Sequence, residues 1–197
     1  MEIRLELERL LAHDRWANGR ALESLEAMPA PPDKGRELLA HLLGAEVCWI
    51  ERMTAGRDPA DWEAWERMDL RGVRKAWEST VPSRWSAFLA DAALANPSRE
   101  FSYVNYLGEP WKAVVGDVLV QLMLHSSYHR GQIATAVRAA GGEPAVQDWI
   151  RAVREGALPG VTRRRARSAS SARRRRPTPA RRPRGASAPR GRSGRRR

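Results

Sequence analysis

The stretch VVGDVLVQLMLHSSYHRGQIATAVRAAGG, residues 114–142, carries apolar residues at the three- and four-residue spacing of an α-helix. Gly141 and Gly142 end the pattern, since glycine readily adopts the left-handed conformation found at helix C-caps. The stretch therefore predicts a helix over about 114–140, and one residue of its buried stripe is a histidine. The predicted buried stripe consists of Val115, Val118, Leu119, Leu122, Ser126, His129, Ile133 and Val137.

Two histidines of this helix lie four residues apart and so one turn apart on the same face. His125 and His129 have the spacing at which two imidazoles can each offer one nitrogen to a shared divalent ion. The third ligand must come from another helix, and the candidate is His41, on the inward face of the second predicted helix. Three protein nitrogens with one or two open positions favour a catalytic site, because structural zinc sites have four protein ligands.

The alternative interpretation is that these histidines are core residues satisfied by hydrogen bonds. For any one of them alone that interpretation is favoured. For three on facing helices the metal is favoured, since leaving three buried imidazoles unpaired costs about 1–3 kcal/mol each.

The rest of the chain predicts helices separated by turn-forming residues. The segment 96–113, rich in turn formers and aromatic residues, alternates around LGEP and predicts a hairpin or an ordered loop. Four long helices predict an all-α fold, an antiparallel four-helix bundle with a short extra C-terminal helix. The predicted helices are 2–28, 34–55 with Asp33 as N-cap, 70–94 interrupted or kinked near Pro82, 114–140 and 145–154, with a looser stretch around Trp62 and Trp65.

The charge of the chain is unevenly distributed. Its net charge is +12, but residues 163–197 contain 16 arginines and no acidic residue, so the remainder carries about −4. From Arg163 onward no aliphatic side chain is larger than alanine, which predicts a disordered tail. We therefore divide the chain into a helical domain, 1–158, and a basic tail, 159–197. The tail is either an arm that neutralises phosphates of nucleic acid or a solvated, even aberrant, extension.

Neither a secretory segment nor a membrane span is visible in the sequence, so no membrane partner is expected. The single cysteine, Cys48, excludes an internal disulfide and agrees with a cytoplasmic location. Cys48 is expected to be a small buried hydrophobic residue rather than a soft ligand. Trp16 and Trp49 are expected in the core. His13 is expected either at the surface or in contact with a ligand residue, and not as a ligand itself.

Five further residues are candidates for positions around the ligands. One turn from His129 and His125 respectively, Gln132 and Gln121 are placed to orient a ligand imidazole or a bound water. Glu37, one turn before His41, is the carboxylate expected nearest the ion. Arg130 is expected either to attract an acidic cofactor or to lie at the surface, and Tyr128 flanks the ligands.

Several motifs together resemble the DinB family of the DinB/YfiT-like superfamily over roughly residues 4–156. The resemblance implies a four-helix bundle of the DinB/YfiT type, usually dimeric, that binds a divalent ion such as zinc or nickel. His41, His125 and His129 match the positions of the three histidine ligands. The motifs are RWAN (15–18), HLLGAEVCWIERM (41–53), HSSYHRGQI (125–133), RAAGGEP (138–144) and DWI (148–150).

Three functions from different classes follow. The first is a metal-dependent enzyme that activates a low-molecular-weight thiol or a water for transfer or hydrolysis, as the resemblance to thiol-dependent transferases implies. The second is a metal-stabilised bundle that binds a ligand without turnover. A homodimer is expected for either. The third is a stress- or DNA-damage-associated protein whose arginine-rich tail binds nucleic acid. The family name is linked to damage-inducible genes, but it does not identify the substrate.

Overall fold

The computed structural model describes residues 2–60 and 68–160, with side chains from residue 5 onward. These residues are mostly helical, as predicted, and include one two-stranded sheet. Trp62, Trp65 and the tail from residue 161 lie outside the described residues, so the predictions made for them stay predictions. The helices are α1 Glu2–Glu26, α2 Asp33–Ala55, α3 Leu70–Lys75, α4 Val81–Ala90, α5 Val115–Ala139 and α6 Trp149–Glu155.

The predicted bounds of α1, α2 and α5 are close to the observed ones, but the role given to Asp33 is wrong. Pro32 is the N-cap of α2, and Asp33 is the first helical residue, with no side-chain capping bond at this end. Its carboxylate still lies in the first turn, where the partial positive charge of the helix N-terminus favours an acid.

The predicted third helix, 70–94, is divided into three parts. A π-helical segment, Ala76–Thr80, separates α3 from α4, and Pro82 follows at the start of α4. Proline is tolerated in a first helical turn but disrupts a helix interior, which explains a break close to the predicted kink. The helix ends at Ala90, four residues before the predicted end.

The last helix begins at Trp149 rather than at 145 because contacts with α1 hold the preceding segment outside a helix. The backbone N–H of Ala145 donates to Oγ of Ser24 at 2.8 Å. The carbonyl oxygen of Gln147 lies 3.1 Å from Nε2 of His13.

The aromatic segment before α5 is a β-hairpin. Strand β1, Glu100–Val104, pairs antiparallel with β2, Pro110–Val114, with Glu100 opposite Val114. The backbone N–H of Val104 donates to the carbonyl oxygen of Gly56 at 2.9 Å. This bond holds the hairpin against the C-terminal end of α2.

The core lies where α5 packs against α1 and α2, and α4 packs on another side of α2. Every predicted residue of the buried stripe on α5 is buried except His129, which is half-buried. No helix within the described residues is long and apolar enough to span a membrane. Fully buried side chains of the core include Leu22, Leu25, Leu39, Leu42, Leu43, Val47, Val73, Phe88, Leu119, Leu122 and Ile133.

Candidate metal centre

Three histidines from two helices meet at the contact between α2 and α5. Nε2 of His41 lies 3.1 Å from Nε2 of His125, and the rings of His125 and His129 are 4.5 Å apart at their centroids. One nitrogen from each of the three residues lies within 4.8 Å of the others. The structure thus brings together the three residues that the helical spacing selected, and we call them the histidine cluster.

The cluster has the donor set of a divalent-metal site. Imidazole nitrogens bind zinc at about 2.0–2.1 Å, so two nitrogens of one tetrahedral site lie roughly 3.3 Å apart. The observed separation between His41 and His125 is close to that value. The three side chains are half-buried, so an ion would still be reachable from solvent. The three histidines are therefore a group that could hold one divalent ion.

The protonation state of His125 agrees with metal binding. Burial, together with the neighbouring imidazoles of His129 and His41, lowers the pKa of His125 to about 4. His125 is therefore neutral at neutral pH, and the neutral imidazole is the form that offers a nitrogen lone pair to a metal.

Gln132 contacts the cluster from the following turn of α5. Its Oε1 lies 2.7 Å from Nδ1 of His129, so His129 donates from Nδ1 and its Nε2 is free to accept. A hydrogen bond of this kind fixes both the tautomer and the ring orientation of a ligand histidine.

A cavity of about 200 Å³ opens beside His41 and His125 and runs along α2. Small residues, Gly44 and Ala45, form its wall next to His41, and Leu122 and Gln121 of α5 face them. Cys48, Trp49 and Arg52 line the cavity farther along α2, together with Asp58, which follows the helix, and Tyr106 of the hairpin turn. We call this cavity the metal-side pocket.

The far end of the metal-side pocket contains an ion pair. Nε and Nη2 of Arg52 donate to the two carboxylate oxygens of Asp58 at 2.5 and 3.2 Å. Asp58 can reach Arg52 because α2 ends at Gly56, whose φ of 71° turns the chain back. Burial alone would raise the pKa of Asp58, but its bonds to Arg52 outweigh burial and the pKa is lowered, so Asp58 is ionised.

Cys48 and Trp49 line this pocket, and Trp49 also packs against the apolar core, in agreement with its prediction. Both are half-buried. The thiol of Cys48 donates to Oδ1 of Asp58 at 3.4 Å, and burial raises its pKa to about 12. Cys48 is therefore an uncharged thiol and a weak candidate for metal binding, since the thiolate is the metal ligand.

Of the other candidate neighbours, the structure brings two more close to the cluster. Gln121 lines the metal-side pocket together with His125. The exposed ring of Tyr128 packs against His129 with centroids 5.1 Å apart. His13 lies outside the cluster. Its ring contacts that of Trp149 at a tilted angle, with centroids 5.0 Å apart, and its Nε2 lies near the carbonyl oxygen of Gln147.

Two predictions about charged neighbours are wrong. Glu37 is exposed and lies 3.8 Å from Arg36, and it is not among the residues that line the pocket. Arg130 is neither at the surface nor directed at the cluster. It is 95% buried and donates from Nη1 to Oδ1 of Asp14 at 2.6 Å, because α5 turns this position toward α1.

A buried polar network surrounds this ion pair, and it was not predicted from the sequence; we call it the Asp14 network. Asn18 bridges it, accepting from Arg130 at 2.9 Å and donating to Asp14 at 2.8 Å. Glu46 of α2 accepts from Nε1 of Trp85 at 2.7 Å. A polar pair four apart in an apolar stripe, here Asp14 with Asn18, is the signal that could have indicated it. The remaining member is Ser126, which donates to Asp14 at 3.2 Å.

Burial and the charge of Asp14 raise the pKa of Glu46 well above its usual range. The raised pKa favours the protonated form of Glu46 in the folded protein.

Comparison with known proteins identifies one family. The sequence model described as the DinB family matches residues 4–156, more than half of the chain, and this span includes the histidine cluster and the metal-side pocket. No curated protein and no solved structure gives a significant match.

Proposed function

This chain belongs to the DinB family, and we propose that it is a divalent-metal-dependent enzyme whose ligands are His41, His125 and His129. The observation that carries the proposal is the position of the histidine cluster at one end of an open pocket. A purely structural site would be enclosed and would have a fourth protein ligand. Zinc and nickel are among the ions that imidazole ligands suit.

We further propose that the fold is the antiparallel four-helix bundle of the DinB/YfiT type. The four members would be α1, α2, the broken helix α3 to α4, and α5. The packing of α5 against α1 and α2, and of α4 against α2, supports this arrangement. It makes the metal a link between two helices that are distant in sequence.

Thiol transfer is the reaction that the residues of the pocket support best. A divalent ion would supply Lewis-acid chemistry, lowering the pKa of a thiol or a water. Hydrolysis also needs a general base, and Asp58 is the one carboxylate among the described lining residues, already engaged by Arg52. Thiol transfer needs no such base, because a bound ion would favour the thiolate form and solvent would take the proton. The sulfur would then form a bond to an electrophilic carbon, and the leaving group would take the electron pair of the broken bond.

The chain's own residues would position this reaction. Gln132 holds the ring of His129, and the small side chains at Gly44 and Ala45 leave room for the thiol beside His41. The side-chain amide of Gln121 lies at the pocket wall, where it can orient the electrophile.

Metal analysis of protein made without an affinity tag tests the proposal. We expect about one zinc or nickel ion per chain, and loss of stoichiometric metal from His125→Ala and His129→Ala. The matched control is His13→Ala, which removes the histidine outside the cluster and should retain the ion. Full metal content in the double variant of His125 and His129 would refute the ligand assignment. A screen of thiols with electrophiles then separates an enzyme from a bundle without turnover.

We propose that the protein is a homodimer, as the family resemblance implies. Val120, Leu124 and Tyr128 are exposed, four residues apart, and form an apolar stripe on α5. Such a stripe can pair with itself across a two-fold axis. Sedimentation of the Leu124→Glu variant tests this: a dimer that survives the substitution contradicts this interface.

The arginine-rich tail supports a second function, non-specific binding of nucleic acid. The sequence of residues 163–197 contains 16 arginines and no acidic residue. Phosphate contacts of this kind depend strongly on salt.

A further inference from the structure

We propose that Arg52 binds the carboxylate of a small acidic ligand in the metal-side pocket, so that the pocket selects a thiol that also carries a carboxylate. The inference rests on the proposed function for the end of the pocket at the histidine cluster. The part that concerns Arg52 is supported by the contacts of that residue. The inference specifies which class of molecule enters the site of the metal-dependent chemistry.

The guanidinium of Arg52 is held rigidly in place. Asp58 accepts hydrogen bonds from its Nε–H and from one N–H of Nη2. The group also lies over two aromatic rings, 4.6 Å from the centroid of Trp49 and 4.8 Å from that of Tyr103. Because a guanidinium has five N–H groups, three remain for a ligand once Asp58 has taken two. An arginine fixed in this way loses little side-chain entropy when it binds an anion.

The position of Arg52 relative to the histidine cluster sets the length of the ligand. Both His41 and Arg52 line the pocket, with Ala45 and Cys48 between them on the same face of α2. Arg52 follows His41 by eleven positions on the helix, a rise of roughly 16 Å. Both side chains lean toward the helix N-terminus, and the bonds to the ion and to the guanidinium take up part of this distance, so the ligand spans less than it. A molecule several bonds long is needed to touch both ends.

The charges of the pocket favour an acidic ligand. Asp58 neutralises Arg52, and Cys48 is an uncharged thiol, so these three residues together carry no net charge. Addition of a divalent ion makes the pocket positive, and its mostly apolar surroundings strengthen that field. A dianion, with a thiolate at the cluster and a carboxylate at Arg52, balances this charge. A ligand with an ammonium group near Arg52 would be repelled.

Calorimetric titration of the zinc-loaded full chain with matched probes tests the inference. The probes are ω-mercaptohexanoate and ω-mercaptohexanol, which differ only in the terminal carboxylate, together with hexanoate and hexanol, which lack the thiol. We expect the acid to bind about tenfold more tightly than the alcohol within each pair. Arg52→Gln should remove this preference, and Arg52→Lys should retain part of it.

The control for general charge is Arg138→Gln, which removes an exposed arginine from α5 and should leave the preference intact. Since Arg52→Gln leaves Asp58 without its partner, the double variant with Asp58→Asn provides a folded comparison. If both variants fail to fold, Arg52→Lys provides the comparison, because it keeps the positive charge but not the planar group of N–H donors, and an unreduced preference for the acid in that variant would overturn the role of Arg52.

Two outcomes separate this inference from the proposed function. Equal binding of acid and alcohol in both probe pairs would overturn the role of Arg52, even if both thiols bind only with zinc present. If instead the thiols bind no better than the probes without sulfur, while the Arg52-dependent preference for acids remains, the thiol chemistry fails and the carboxylate site stands.

Discussion

The histidine cluster and the Asp14 network lie one residue apart along α5, and they differ in how their polar groups are paired. In the Asp14 network an acid meets a guanidinium, and Asn18 and Ser126 fill further hydrogen-bonding positions. In the histidine cluster three groups of the same kind face one another. Opposite charges with complementary hydrogen bonds stabilise a fold by themselves, whereas three imidazoles that share one space favour an external cation.

The location of the two clusters adds to this difference. The members of the Asp14 network are at least 95% buried where they meet α1 and α2, whereas the histidines are half-buried beside a pocket. We conclude that the first cluster determines how α5 is rotated, and that this rotation directs His125 and His129 toward α2.

Removing one charge of the Asp14 network should produce the largest effect on stability. Arg130→Met leaves Asp14 buried without its partner, so we expect a loss of about 3–5 kcal/mol in the free energy of unfolding. Denaturant unfolding by circular dichroism measures this. Arg138→Met, an exposed change on the same helix, should stay within about 0.5 kcal/mol of wild type. A loss below about 1 kcal/mol in Arg130→Met would mean that the network does not fix α5.

Removal of the metal should produce the next largest effect on stability, and this effect should depend on the histidine cluster alone. An ion that links α2 to α5 stabilises the folded state by about 4 kcal/mol when its free concentration is a thousand times its Kd. Chelation should therefore lower the melting temperature of the wild type and leave that of His129→Ala unchanged. If chelation lowers both melting temperatures equally, the ion is bound elsewhere.

Glu46 should produce a smaller effect, visible in the pH dependence of stability. Its pKa is raised in the folded state by burial and by Asp14, so the folded protein holds a proton that the unfolded chain releases. Stability from this group is complete below the unfolded pKa and decreases as the pH rises toward the folded pKa. Glu46→Gln should remove that decrease and change stability near pH 4 by less than about 1 kcal/mol. An unchanged pH profile would show that Glu46 is ionised in the fold.

Truncation after Pro159 should have the smallest effect, because the tail contributes to neither cluster in this proposal. Melting temperature and metal content should equal those of the full chain. Salt-sensitive binding to nucleic acid, measured by fluorescence anisotropy, should be lost. A destabilised truncated protein would move the domain boundary toward the C-terminus.

Part of the fold and of the site could be predicted because it depends on local spacing. The bounds of α2 and α5 follow from helical periodicity and glycine or proline ends, and the hairpin follows from alternation around its turn. His125 and His129 share a face of α5 for the same reason. The bounds of α4 and α6 were less predictable, since the π-helical segment and the contacts of residues 145 and 147 with α1 arise from packing.

The sequence by itself determined the helical character of the chain, the histidine pair on α5, and the candidate third ligand. Only the tertiary structure decided that Arg130 points into the core and that Arg52 pairs with Asp58 in the lining of the pocket. The physical reason is that helical periodicity fixes the angle between residues of one helix, which a linear sequence contains. Whether an arginine is buried depends on an acid supplied by another segment, and Asp14 lies 116 residues from Arg130.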